Sequence, residues 1–512
     1  MRLLHTAATT HARFDDPNLV SHAGLIPAVR LAQNIGLEDL AGQHVRVAAK
    51  VGANPGLKIG ALVAGMVAGA DTIDGMDLLR HGAFPATVGG IRAPSTLGSF
   101  LRAFDHGNVR QLAAVHRRVL VELAARTALL PGADTLVFVD VDSVQRRVYG
   151  GTKQGAAFGH AKIASKSLLV RGLNMLAATI STPLAAPVVA AARLRGGNAG
   201  SARGAATLVA EAITTARHAG ATGLIVARAD SAYYSGAFVA ACRRNGARFS
   251  VTVRMDPKVR RTIAAIPDQA WTAIKYPNAI YDEKTGEWIS DAEIAQVPYT
   301  AFASKPAHRT DGELIVRRVK RLNPNSTPQG QGELFATYRY HAVFTDSPFQ
   351  LVQAESDHRG HAIVEQVFAD LIDGPWAHLP CAAFHANAAW VQLAATAHAM
   401  TRALGVLAST RHAVARGATI RAELVQVAAR PARSGRGSIT WHLPENWPWQ
   451  DAWLSAFDAT HRPPPAPGRL TLTTARTGPT RNHSGHAGRK PGRPRTPTNR
   501  NLQSKINHAV PE

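Results

Sequence analysis

The clearest strand pattern in the chain is the apolar run over residues 135–143, TLVFVDVDS. Consecutive β-branched and large apolar residues are typical of a strand that is buried on both faces of a mixed or parallel sheet. Because side chains alternate along a strand, Asp140 and Asp142 are predicted to lie on the same face. Two such carboxylates repel each other unless a cation lies nearby, and a divalent metal ion would supply that charge. For this strand alone, an exposed Asp-Ser turn at its end explains the pattern at least as well.

A second strand repeats this design over residues 224–231, LIVARADS. Here an apolar run is followed by Arg228 and Asp230, which alternation also places on one face. Two strands that both end in Asp-Ser predict that carboxylates gather at one edge of a sheet. In open α/β sheets, sites form outside the carboxyl ends of the strands.

The hydrophobic pattern divides the chain into regions and predicts an α/β fold. Apolar residues recur at helical intervals before residue 130, whereas strands alternate with helices from about residue 134 onward. A strand over 338–345 and a helix over about 362–371, which carries Glu365, follow a stretch of short β-like pieces. The predicted regions are a helical N-terminal DNA-binding region (1–130), the first part of the α/β core (131–255), a β-rich insertion (256–335), the second part of the core with the Glu365 helix (336–410), a C-terminal region (411–460) and a disordered basic tail (461–512).

Among the composition totals of the chain, the net charge is the most informative. The 512 residues carry a formal net charge of +23, which points to a polyanionic partner, most often nucleic acid. No apolar run is long enough for a membrane span and the first residues do not resemble a signal peptide, so we expect a cytoplasmic, nucleoid-associated protein. The two cysteines have no spacing typical of a zinc site or a disulfide framework, and we interpret them as core residues.

Two basic segments are candidates for DNA contact. The run over 317–321, RRVKR, is either a solvated strand edge or a contact to the DNA backbone. The tail over 461–512 holds ten Lys and Arg against one Glu, so it accounts for +9 of the net charge. Its segment 490–495, KPGRPR, resembles an AT-hook, which lies in a narrow minor groove; a merely solvated tail is an equal alternative. The candidate DNA-binding residues of these segments are Arg317, Arg318, Lys320, Arg321, Lys490, Arg493 and Arg495.

The acids suggest a specific chemistry if Asp142, Asp230 and Glu365 converge at one sheet edge. Three carboxylates without a cation would repel one another strongly. With two Mg²⁺ ions about 3.5–4 Å apart, or Mn²⁺ in their place, they would form a site for in-line phosphoryl transfer. Arg228 and Arg359 could then balance the charge of the phosphate.

The sequence resembles the DDE transposases of bacterial insertion sequences, specifically the thirteen-eighty group, over most of residues 20–455. This resemblance implies an RNase H-like catalytic core, interrupted by a β-rich insertion before the Glu helix, that cuts and joins transposon ends with Mg²⁺. The passages that carry it are APSTL (93–97) with FLR (100–102), VDVDS (139–143), LRGGN (194–198), RADS (228–231), and RG (359–360) followed by EQ (365–366).

Carried over residue by residue, the resemblance makes Asp230 the second catalytic acid and metal ligand, and Glu365 the third. Asp142 is favoured as the first acid, with Asp140 in reserve. The expected partner is double-stranded DNA, both transposon ends and target, bound by a homodimer that pairs two ends. Two alternatives stay open: a metal-dependent nuclease without strand transfer, and a catalytically inactive DNA-binding protein derived from a transposase.

Overall fold

The structure is a computed structural model that describes residues 1–274 except 2–3, 49 and 164–165, together with 281–282, 287–288, 292–320 and 338–462. The predicted disordered tail beyond residue 462 and its AT-hook-like segment lie outside these residues, as does Arg321. Residues 1–464 form one compact unit.

A large mixed sheet forms the centre of this unit. Its first part has the order β4-β3-β1-β5-β6, in which β3 is antiparallel to β1 and to β4, whereas β5 and β6 run parallel to β1. β2 pairs with the first half of the long strand β3. These strands are β1 (Leu136–Arg147), β2 (Ala157–Ile163), β3 (Lys166–Thr182), β4 (Ala185–Gly196), β5 (Leu224–Ala229) and β6 (Arg248–Thr252).

Strands later in the chain extend this same sheet. Beyond β6 the order continues β12-β11-β10-β7, and each of these neighbours is antiparallel. The predicted α/β fold with a mixed sheet is therefore confirmed. The remaining strands are β7 (Thr272–Ile274), β8 (Tyr281–Asp282), β9 (Glu287–Trp288), β10 (Ala292–Ala301), β11 (Thr310–Lys320), β12 (Tyr338–Thr345), β13 (Arg430–Arg433) and β14 (Ile439–His442).

Helices flank the sheet and account for most of the chain before β1. Because glycine and proline interrupt the apolar pattern there, the helices are short until the region's last one, which has 21 residues. The α-helices are α1 (Leu25–Asn34), α2 (Leu37–His44), α3 (Pro55–Ala68), α4 (Phe84–Thr87), α5 (Pro94–Arg102), α6 (His106–Arg126), α7 (Ala205–His218), α8 (Gly236–Arg244), α9 (Pro257–Ala264), α10 (Leu351–Arg359), α11 (Val364–Ile372), α12 (Phe384–Ala408), α13 (Thr410–Val414), α14 (Gly417–Ile420) and α15 (Gln450–His461).

Two long helices organise the core on one side of the sheet. α6 starts at a capping box, in which Asp105 accepts a hydrogen bond from the backbone N–H of Asn108 (2.7 Å) and Asn108 accepts one from that of Asp105 (3.1 Å). α12 is buried along most of its length and packs against α6, α3, α15 and β4. None of the helices in the described part of the chain is both long and apolar enough to cross a membrane.

A buried histidine joins α6, α12 and β4. His116 is fully buried, and its Nε2 donates to the backbone carbonyl of Val189 (3.0 Å), while Nδ1 lies 3.1 Å from Thr396 Oγ1. Burial lowers its pKa from 6.5 to about 4, because the charged imidazolium loses its hydration there. His116 is therefore neutral in the folded protein at physiological pH.

We expect the free energy of unfolding to fall as the pH drops from 6.5 to 4. Over this range the unfolded chain binds a proton at residue 116 that the folded chain excludes, which costs about 1.4 kcal/mol per pH unit. The substitution His116→Gln should remove this contribution. The slope of the free energy of unfolding against pH should then fall by about 1.4 kcal/mol per pH unit, which corresponds to one proton. Urea unfolding at several pH values measures the slope. The exposed His442→Gln is the control, and an unchanged slope in His116→Gln contradicts this account.

Candidate active site

The register of two parallel strands brings the first two predicted acids side by side. In the pairing of β1 with β5, Asp140 lies opposite Arg228 and Val141 lies opposite Ala229. Asp142 is the next residue along β1, and Asp230 directly follows the end of β5. The two aspartates thus occupy neighbouring positions just beyond the last paired residues of β1 and β5, at one edge of this pairing. β1 itself does not end at residue 143, as its sequence suggested, but continues to Arg147 because β3 pairs with it throughout.

Asp140 is not part of this edge, because a buried ion pair occupies its carboxylate. Arg228 donates from Nε to Asp140 Oδ1 (2.6 Å) and from Nη2 to Oδ2 (2.8 Å), and the two residues are only 3% and 1% exposed. The guanidinium also stacks on the ring of Phe138, 3.8 Å from its centroid. The residue predicted as the reserve ligand, Asp140, and the predicted phosphate contact, Arg228, thus bind each other in the folded chain.

Asp142 lies in a strongly negative environment. Burial, and then the charges of Asp230, Glu365 and Asp140, raise the pKa of its carboxyl from 3.8 to about 7. The backbone N–H of Ser143 donates to its Oδ1 (2.6 Å) and opposes this rise only in part. Asp142 therefore lies within electrostatic range of both other predicted acids.

Asp230 is held by the turn that it starts. Its Oδ1 accepts a hydrogen bond from the backbone N–H of Ala232 (2.9 Å), so it caps the short 3-10 helix Ser231–Tyr233. The side chain is half-buried at the end of β5. The Asp-Ser-Ala sequence thus converts the end of a buried strand into a turn that fixes the direction of this carboxylate.

Glu365 is in the first turn of α11, which packs against β1 and β4. The segment before it is tied to the sheet at two points. Arg228 donates from Nη1 to the backbone carbonyl of Asp357. The ring nitrogens of His358 lie 2.9 Å from Ser250 Oγ and 2.9 Å from Thr252 Oγ1 on β6, and burial keeps the pKa of this histidine well below its usual value. These contacts place the start of α11 beside the two aspartates.

Tyr233 is a residue that the sequence reasoning did not identify as part of the site. Its ring is 1% exposed, and its pKa is raised, first by burial and then by the charge of Asp142. The hydroxyl therefore lies close to the acids. A tyrosine three residues after Asp230 was the available signal, but aromatic residues in a turn more often fill the core.

Three further arginines predicted to contact DNA, Arg317, Arg318 and Arg359, lie within the described residues and are paired with acids of the same chain. Arg317 and Arg359 both bind the buried Glu355, the latter from Nε at 2.8 Å. Arg318 donates to Glu293 (2.7 Å) and stacks between the rings of Trp271 and Tyr338. Lys320 is the last residue of β11. The ion pairs of Arg317 and Arg318 therefore join β11 to α10 and to β10.

The donor set at this edge suits a divalent cation. Carboxylate oxygens are hard ligands of the kind that Mg²⁺ and Mn²⁺ prefer. The pKa of Asp142 is raised first by burial and then by the charges of Asp230, Glu365 and Asp140, and a bound cation would oppose both effects. Within the described ranges, no three His, Cys, Asp or Glu side chains lie close enough together to hold one ion. The chemistry of the residues therefore fits a metal, and the carboxylates would have to close up around it.

Breaking the buried pair at Arg228 should be costly. Arg228→Met leaves the Asp140 carboxylate buried without a counter-charge, which we expect to lower the free energy of unfolding by about 3–5 kcal/mol. Removing both charges, with Asp140→Leu and Arg228→Met together, should recover part of this loss. Arg243→Met is the control, because this half-exposed arginine lies 4.0 Å from Asp346 and should cost less than about 1 kcal/mol. Denaturant unfolding measures all three; equal losses in Arg228→Met and Arg243→Met would refute the assignment.

Comparison with known proteins identifies the family. A search of curated proteins found no match. The family model for transposase DDE domain group 1 matches residues 5–464, which is nearly the whole chain and includes the three acids described above. The protein belongs to the family of transposases with a group 1 DDE domain.

Proposed function

We propose that this protein binds the terminal inverted repeats of its own element and catalyses metal-dependent DNA cleavage and strand transfer. The observation that carries this proposal is that Asp142 on β1 lies beside Asp230 at the end of β5, and that α11, which starts with Glu365 in its first turn, packs against β1. Such crowding of negative charge is costly for stability, and it is typical of sites that bind cations. Membership in a DDE transposase family supports the same reading.

Asp142, Asp230 and Glu365 are the proposed catalytic acids and metal ligands. The choice of Asp142 over Asp140 is supported by the ion pair that occupies both carboxylate oxygens of Asp140. We further propose that the core is RNase H-like. This is supported by an antiparallel set, β4-β3-β1, that continues into two parallel strands, with acids on β1 and directly after β5.

The reaction needs little from the protein beyond positioning and charge. Bound Mg²⁺, or Mn²⁺ in its place, would activate the attacking oxygen and stabilise the leaving oxygen, with two ions per site. In cleavage, water attacks a phosphodiester, the phosphorus–O3′ bond breaks, and a 3′-hydroxyl is released. In strand transfer, the oxygen of this 3′-hydroxyl attacks a target phosphorus and forms a new phosphodiester. The target's own phosphorus–O3′ bond breaks, and the target strand leaves with a 3′-hydroxyl that takes up a proton. The hydrogen bond from Ala232 holds Asp230, and the contacts of His358 and Arg228 hold the segment before Glu365.

We propose that the protein acts as a homodimer on double-stranded DNA, because one site cannot easily hold two ends in register. The net charge of +23 supports strong electrostatic binding, which should weaken with salt by a slope of about 0.9 for each neutralised phosphate. Lys490, Arg493 and Arg495 are proposed minor-groove contacts in the tail. A cytoplasmic location on the nucleoid is part of the same proposal.

The test is cleavage and joining of a short duplex that carries the terminal repeat, with Mg²⁺ or with EDTA. We expect the wild-type protein to cut and join only with the metal, whereas Asp230→Asn and Glu365→Gln bind the duplex and do not cut it. Matched controls are Asp451→Asn and Glu445→Gln, which make the same changes at exposed positions and should keep wild-type activity.

The outcomes separate three functions. Cutting without joining by the wild-type protein would identify a nuclease rather than a transposase. Binding without cutting would identify a DNA-binding protein that has lost catalysis. Undiminished cutting by Asp230→Asn or Glu365→Gln would contradict the proposed site.

A further inference from the structure

A concave groove lies between α6 and α7, apart from the acidic edge. It has a volume of about 700 Å³. Its walls combine small and aliphatic side chains with charged ones, and both Arg118 and His218 are exposed. Residues that line it include Arg117, Arg118, Val121, Glu211, Thr214 and His218.

Three guanidinium groups share the carboxylate of Glu211, which lines this groove. Arg193 donates to Glu211 Oε1 at 2.6 Å, Arg110 donates to the same oxygen at 2.9 Å, and Arg117 lies 3.7 Å from Oε2. These arginines come from α6 and β4, whereas Glu211 comes from α7. One negative charge cannot neutralise three positive ones, so the cluster keeps an excess of two positive charges in a partly buried place.

The neighbouring residues add to this excess. Arg118 is exposed beside Arg117, and Arg126 lies 3.6 Å from Glu122, so this part of the surface has five arginines for two acids. Burial lowers the pKa of Arg117, and Arg110, Arg118 and Arg193 lower it further, whereas Glu211 opposes them. An anion that enters the groove would relieve this crowding of like charges.

We propose that this groove binds the phosphate backbone of DNA. Arg110 and Arg117 are seven residues apart on α6, hence about 10 Å along the helix axis, which is close to the rise of about three nucleotides of one strand. A second groove of about 330 Å³ adjoins the first, because Thr207 lines both grooves. Arg110 and Arg193 line this second groove, which extends to His106 and His385. A basic, elongated depression fits a polyanionic strand better than it fits a small anion.

The inference rests on the proposed function in that DNA is the expected polyanion, but it concerns residues outside the acidic edge. None of the arginines in this groove is among those that the sequence predicted to contact DNA. The groove therefore binds DNA without taking part in the chemistry, and its loss should weaken binding at any sequence alike.

The first test is the salt dependence of binding to a short duplex of mixed sequence. The double variant with Arg117→Gln and Arg118→Gln should lower the slope of log affinity against log salt by about 2 and weaken binding at least about tenfold at low salt. The control variant has Arg243→Gln and Arg248→Gln, which remove the same charge at half-exposed positions near Asp346. The exposed Arg118→Glu alone is a second variant, since it disturbs no ion pair of Glu211 and should weaken binding in the same direction.

A second test does not depend on charge. Both native cysteines are buried, so Thr214→Cys places a reactive thiol in the groove on an otherwise unreactive chain. We expect the duplex to protect this thiol from a maleimide, whereas a thiol from Ser438→Cys, an exposed position in the turn between β13 and β14, keeps reacting.

The proposal is overturned if the groove variant and the control variant lose affinity equally, or if DNA leaves the Thr214→Cys thiol reactive. These outcomes are independent of catalysis. If the wild-type protein cuts and joins DNA but the groove variant binds like the control, the groove assignment fails and the proposed function stands. If the groove variant binds weakly but the wild-type protein never cuts, the groove stands and the catalytic proposal fails.

Discussion

The buried ion pair between Asp140 and Arg228 is the interaction on which the site depends. Taking two charges out of water costs several kcal/mol for each ion, and only good geometry repays that cost. Here both carboxylate oxygens of Asp140 accept hydrogen bonds from Arg228, and the guanidinium stacks on Phe138. The Nη1 of Arg228 also donates a hydrogen bond to the backbone carbonyl of Asp357. One side chain thereby joins β1, β5 and α10, and it sets their relative positions immediately beside the acids.

The same local geometry separates two kinds of carboxylate. Asp140 has a matched counter-charge, whereas Asp142, only two residues further along the same strand face, has the charges of Asp230 and Glu365 nearby and a pKa of about 7. The arginines nearby also bind other acids: Arg317 and Arg359 bind Glu355, and Arg228 binds Asp140. A divalent cation bound by Asp142, Asp230 and Glu365 would add positive charge at this edge, while an excess of arginine surrounds Glu211 at the groove between α6 and α7.

The local pattern of apolar and polar residues predicted much of the fold and part of the site. The strand over 338–345 has the predicted bounds, and the apolar run before Asp142 forms β1, because a buried strand requires consecutive β-branched residues. Pairing across the chain could not be predicted in this way. That Asp140 meets Arg228 depends on the register of two strands 88 residues apart, and the extension of β1 to Arg147 depends on its pairing with β3. The ion pairs of Glu211 on α7 with arginines on α6 and β4 likewise could not be predicted from the local sequence pattern.

The most direct test of the account is to replace Mg²⁺ with Fe²⁺ and expose the protein to peroxide, so that radicals formed at the bound ion cut the backbone beside it. A metal site shared by the three acids predicts fragment ends near Asp142, Asp230 and Glu365, three places far apart in sequence, and their suppression by excess Mg²⁺. It also predicts that Asp230→Asn weakens all three cuts together, since the acids share one site. Cuts elsewhere, or cuts at these places that excess Mg²⁺ does not suppress, would contradict a shared metal site at this edge of the sheet.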